Sequence, residues 1–142
     1  MARGYWLVKQ EPTKYAFADL VRDKRTVWTG VSNPVALKNI RQMRDGDLAF
    51  IYHTGDEKQI VGIAEVASDP YPDPKAKDER LVVVELKAKR SLQTPVTLAQ
   101  VKADARFKEF ALVRISRLSV MPVTDALWKA LLAMAGESAR GS

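Results

Sequence analysis

No cysteine occurs in the chain, and His53 is its only histidine. The first absence excludes disulfides, a thiolate nucleophile and any cysteine-based zinc site; the second excludes histidine pairs as metal ligands. No run approaches the ~18 consecutive apolar residues of a membrane-spanning helix, so no membrane association is expected. The opening residues Met1-Ala2-Arg3-Gly4-Tyr5-Trp6 hold a basic residue but no long apolar segment or small-residue cleavage site. No secretory signal is expected, and the cytoplasm is the expected compartment. No glycine-rich phosphate loop follows a predicted strand, which disfavours a dinucleotide fold. Neither a metal nor a cofactor is expected. Internal repeats and low-complexity tracts are missing as well.

What is present fits one domain. A chain of 142 residues has room for a single core. The domain is expected over 1–136, with 137–142 as a frayed tail. The formal net charge of +6 is unevenly placed. Residues 1–70 hold ten Lys/Arg against nine Asp/Glu, whereas 71–142 hold thirteen against eight. Lys89, Arg90, Lys102, Arg106, Lys108, Arg114 and Arg117 fall in one stretch whose acids are Asp104 and Glu109. A clustered positive field suits phosphate backbones, and these seven are the candidate backbone contacts; a solvated basic surface is the plainer alternative.

Periodicity predicts the elements. Tyr5 to Gln10 is an aromatic and β-branched run ended by Pro12, hence a strand. Phe17, Leu20 and Val21 recur at helical spacing over about 16–22. Trp28 to Asn33 is expected to be a loop. Asn33 before Pro34 caps a helix whose apolar stripe is Ala36, Ile40 and Met43. Leu48 to His53 shows little alternation, as a strand covered on both faces does. Ile60 to Ala67 is its partner, and Arg80 to Arg90 a long strand. Thr97 caps a helix to about Asp104, Ile115 to Val120 is the expected last strand, and Thr124 caps the final helix. The fold class is α+β, a curled sheet flanked by short helices.

Four groups in the first half couple an aromatic ring to hydrogen-bonding partners at element ends or in loops, where binding residues concentrate. They are Trp6 with Lys9 and Glu11; Trp28 with Gly30, Val31 and Asn33; Tyr52 with His53 and Thr54; and Tyr71 with its Pro-Asp turn. Stacking on an indole such as Trp28 contributes roughly 1–3 kcal/mol per base. Polar groups of Asn33, His53 or Thr54 can read a base edge, and Gly30 permits close backbone approach. Each also has a structural alternative: Trp6 as core, Asn33 as a cap, His53 as a satisfied buried histidine, Tyr71 as a turn clamp. Gly62 and Ala64 leave room either for a cavity or for a neighbouring helix. Alternation places Tyr52 and His53 on opposite faces of their strand.

The ordered blocks W-L-x-K-x-E-P at 6–12, W-x-G-V-x-N at 28–33, M-x-x-G-D at 43–47, Y-H at 52–53, G-I-A-E-V at 62–66, Y-P-D at 71–73 and R-L-S-V-x-P-V at 117–123 resemble the signatures of the EVE family over almost the whole chain. That resemblance implies a PUA-like β-barrel with an aromatic-lined pocket. It also implies recognition of a modified, flipped base in DNA or RNA by a non-catalytic module. The eukaryotic pattern has W-x-G-V-R-N and a later Arg-Asn pair; Ser32, Leu37 and Lys38 stand at those positions here. The alternative is a small enzyme acting on a nucleoside or amide, like some ASCH relatives, for which Lys9, Glu11, His53 and Asp56 are the available acid–base groups.

Overall fold

A computed structural model describes residues 4–137, and of the expected tail only Glu137 falls within it. The strands are β1 (Tyr5–Gln10), β2 (Arg25–Trp28), β3 (Leu48–His53), β4 (Gln59–Val66), β5 (Tyr71–Pro72), β6 (Val82–Thr97) and β7 (Val120–Pro122). The helices are α1 (Phe17–Asp23), α2 (Pro34–Gln42), α3 (Leu98–Ala103), α4 (Ala111–Arg114) and α5 (Asp125–Met134), with a 3-10 turn at Ala105–Phe107. The sheet runs β2-β6-β4-β3-β1-β7, with β5 added to β6. β1 and β3 are parallel; the other pairs are antiparallel.

Helix α2 packs against β7 and against β6, which sit toward opposite ends of that strand order. The sheet must therefore curl, and α2 spans the opening. The Asn39 side chain fixes this by donating to the Val120 carbonyl at 2.7 Å. Asn33 accepts from the backbone N–H groups of Val35 and Ala36, satisfying two donors that a helix start leaves unpaired. Thr97 and Thr124 cap α3 and α5 in the same way.

Register divides the side chains between two sheet faces. Trp6 and Val8 lie beside Ala49 and Ile51, which lie beside Ala64 and Gly62. Trp28 joins this face through Val84. The Phe17 ring of α1 covers Gly62, its atoms within 2.5–2.7 Å of where a Cβ would stand. The small residues of β4 thus accommodate a helix rather than a cavity. The opposite face carries Tyr5, Leu7 and Lys9 beside Leu48, Phe50 and Tyr52. There Trp128 of α5 stacks on Tyr5 and Phe50, centroids 4.5 and 3.9 Å away.

Three sequence expectations change. Residues 25–27, unassigned from sequence, and Trp28, expected in the loop, form a strand, so Trp28 ends β2 and only 29–33 are loop. β6 runs on to Thr97, because β4 keeps pairing with it across two register shifts, with Ile60 opposite Val96 and Gln59 opposite Thr97. The strand expected over 115–120 begins only at Val120; a turn closed by Leu118 N–H on the Ile115 carbonyl precedes it. Among the described residues no helix is long and apolar enough to cross a membrane.

Candidate functional site

The motif residues meet in two places, one on each sheet face. On the α1 face, the end of β2 runs into the loop 29–33, and Tyr15 of the β1–α1 connection lies against Trp28. Trp28 is only 4% exposed, with Tyr15 edge-on to its ring at 6.5 Å. A base reaches this indole only when its covering neighbours, Tyr15 among them, give way. The loop itself is open: Thr29, Gly30, Ser32 and Asn33 are exposed and Val31 is half-buried. Gly30 holds a left-handed φ of +81° with no atom within 4 Å of a notional Cβ, so a ligand can approach its backbone.

Several motif residues hold the frame. The Trp6 indole N–H donates to Asp47 at 2.9 Å, and the same carboxylate accepts from the N–H groups of Gly4 and Arg44. Two signature blocks 41 residues apart are thereby joined. Glu11 accepts from Thr13 and, more weakly, from Thr54. His53, 6% exposed, accepts the Phe17 N–H on Nε2 at 3.0 Å, so its proton sits on Nδ1, which donates to Glu57 at 2.9 Å. Both ring nitrogens are occupied, which leaves no lone pair for general-base work. Replacing His53 by alanine strands the Phe17 N–H at the start of α1, and urea unfolding should read a loss of about 2 kcal/mol; an unchanged midpoint would refute that anchoring role. Tyr71 donates to Glu85, which also receives Arg25. Burial and that carboxylate push the Tyr71 phenol above its usual range. It clamps β5 to β6, one register position from Val84, the partner of Trp28.

On the α5 face, a cleft of about 310 Å³ opens between the ends of β1 and β3, the loop 54–58, α3, and the segment from α4 to Ser116. Lys9, Lys58 and Lys102 line it with Tyr52, Thr54, Gly55 and Ser116, against a wall of Leu98, Leu112 and Val113. Lys9 donates to the Ser116 carbonyl at 2.9 Å and lies 5.6 Å from the centre of the Tyr52 ring. Burial holds the Lys9 ammonium below its usual range and the Tyr52 phenol above it. Tyr52 and His53 face opposite sides, as alternation requires.

Of the sequence candidates, the cleft unites Lys9, Tyr52, Thr54 and Lys102, while Trp28, Gly30, Val31 and Asn33 meet at the loop. The seven basic residues do not form one track. Lys89 and Arg90 line a separate hollow with Lys24 and Lys87. Arg106 binds Asp104, whose carboxyl it holds down to about 2 by side-chain and backbone hydrogen bonds. Arg114 pairs with Glu109, and Arg90 with Glu137, itself held by the Gln93 N–H. Lys108 and Arg117 are exposed. Sequence reasoning missed Tyr15, Asp47, Lys58 and Ser116. The Met-x-x-Gly-Asp block offered a signal for Asp47; nothing local pointed to the others.

The sequence model of the EVE domain matches residues 4–134. Human thymocyte nuclear protein 1 is 26% identical over 156 residues, covering 86% of this chain and 69% of that protein. Among solved structures, Rpa0253 from Rhodopseudomonas palustris superimposes with a TM-score of 0.89 at 46% identity, over 94% of this chain and 93% of its own. Human THYN1 in complex with DNA containing 5-methylcytosine superimposes with a TM-score of 0.87 at 25% identity, over 95% of this chain and 99% of its own. An ASCH protein from Zymomonas mobilis, at 12% identity and a TM-score of 0.62, shares the fold.

Proposed function

Because the chain belongs to the EVE domain family and has the PUA-like fold of its relatives, we propose that it is a non-catalytic module that binds nucleic acid and accommodates a modified base at the loop 29–33. The observation that carries this is the likeness, across 95% of the chain, to the human relative in complex with 5-methylcytosine DNA. The loop's chemistry supports the reading. It combines an exposed backbone at Gly30 with the Asn33 side chain and two aromatic rings, Tyr15 and Trp28, at its base. A net charge of +6 favours the polyanion. Entry of a flipped base then costs partial uncovering of the indole, which stacking repays at roughly 1–3 kcal/mol.

The test is a titration with short DNA and RNA strands bearing cytosine, 5-methylcytosine or 5-hydroxymethylcytosine at one position. Tighter binding of one modified strand is the expected result; equal, negligible binding of every strand removes the proposal. Ser32 stands where the eukaryotic pattern has arginine and is exposed within the loop. Ser32→Arg should strengthen binding of all strands about threefold to tenfold and steepen the salt dependence by about one released counterion.

A further inference from the structure

The lysine-lined cleft lies on the sheet face opposite the loop 29–33, so the base reading leaves it unused. Its charges are uncompensated. Among the described residues, ion pairs engage arginines and His53, and none engages a lysine. Lys9, Lys58 and Lys102 reach the cleft from three elements, β1, the 54–58 loop and α3. No carboxylate lines the same space. Asp56 and Glu57 border the adjoining hollow, where Glu57 is engaged by His53. The Glu11 carboxylate stands behind the rim, beside Gly55, where it accepts from Thr13 and Thr54. The Lys9 ammonium is half-buried against a carbonyl and an aromatic ring, neither of which neutralises it.

Backbone geometry adds a second, independent sign. Lys58 has φ +46°, one of two non-glycine residues in the left-handed region among those described. A lysine there is strained where a glycine would not be, and such strain concentrates at functional positions. Its conformation is set by the Leu98 N–H, which donates to the Lys58 carbonyl at 2.8 Å. That bond also ties the loop to the start of α3, holding Lys58 beside Lys102.

We propose that this cleft seats a phosphomonoester, with Lys9, Lys58 and Lys102 as the cationic contacts and the wall of Leu98, Leu112 and Val113 against the ligand's organic part. Three ammonium groups with no carboxylate among them match a dianion better than the single charge of a diester. Lysine suits the task because three rotatable point charges converge on one tetrahedral group without the planar fork an arginine imposes. The phosphate can belong to a free nucleoside monophosphate or to the 5′ end of a strand, two sources of one chemistry.

Calorimetric titration separates them, using cytidine 5′-monophosphate, cytidine, and one single-stranded oligonucleotide with either a 5′-phosphate or a 5′-hydroxyl. The phosphorylated member of at least one pair should bind at least about tenfold tighter than its partner. Monophosphate binding with no gain on the oligonucleotide identifies a free nucleotide, and the converse identifies a strand end; both support the seat. Lys58→Gly and Lys102→Gln should each weaken the phosphorylated ligand about tenfold. The melting temperature of Lys58→Gly should be no lower than that of the parent, since glycine keeps the carbonyl and relieves the strain. Lys89→Gln removes the same charge elsewhere and should leave this affinity within about twofold. Absence of any phosphate preference, unchanged affinity in both cleft variants, or an equal loss in Lys89→Gln would overturn the proposal. Discrimination of methylated from unmethylated cytosine should persist in Lys58→Gly, so failure of either site is read separately.

Discussion

Replacing Asp47 by alanine should lower the unfolding free energy by about 4 kcal/mol, a fall on the order of 10 °C in melting temperature. Asp47 is 7% exposed and accepts three hydrogen bonds of 2.9 Å, from the N–H groups of Gly4 and Arg44 and from the Trp6 indole. Truncation leaves all three donors facing a hole, and each stranded, partly buried donor costs about 1–3 kcal/mol. The loss also reaches the sheet, because Asp47 sits at the turn into β3 and two of its partners, Gly4 and Trp6, sit at the start of β1. Asp47→Asn keeps one acceptor oxygen and turns an NH₂ toward the remaining donors, so about half the penalty should persist. Chemical denaturation followed by tryptophan fluorescence measures both; a loss under about 1 kcal/mol for the alanine variant would show that water replaces the carboxylate without cost.

Gly62→Val should cost about 3 kcal/mol or prevent folding, for the opposite reason: too much matter instead of too little. A Cβ at position 62 would stand 2.5 Å from the Phe17 ring, and that ring is itself only 5% exposed. The ring cannot retreat without lifting α1, whose first N–H is held by His53 at 3.0 Å. Gly62→Ala imposes a smaller version of the same clash. The double variant Gly62→Ala with Phe17→Leu should recover part of the loss, giving a non-additive cycle of about 1 kcal/mol. Strict additivity would mean that the two positions do not touch in solution.

The elements that the sequence announced are those set by neighbours within a few residues. Asn33, Thr97 and Thr124 cap helices through bonds spanning two or three residues. Leu48–His53, with no polar alternation, is buried at all six positions. The misread segments depend on distant partners. Arg25–Trp28 is too short to carry a period and becomes a strand only because β6 extends beside it. Residues 115–119 have strand-forming composition, yet the chain must first turn from α4 before Val120 meets Val8.

The sites divide in the same way. Trp28, Gly30 and Asn33 were legible as a group because one short block holds them. What the block does not contain is Tyr15, the ring that covers the indole. Trp6 stood out as an aromatic at a strand start, but its destination, the Asp47 carboxylate, lies 41 residues on. Lys9, Lys58 and Lys102 are ordinary surface-type residues in sequence. Their convergence in one cleft is a product of parallel pairing between β1 and β3 and of the docking of α3 behind the 54–58 loop.

By itself, then, the sequence determined the cysteine-free α+β fold class, the family's ordered motif blocks and the local caps, since each depends on residue chemistry over a few positions. Tertiary structure alone decided which motif residues build the frame and which face a cleft, and where on the molecule positive charge is left unpaired. Those outcomes follow from strand register and sheet curl, which bring residues tens of positions apart into contact and bury an indole that short-range chemistry would leave exposed.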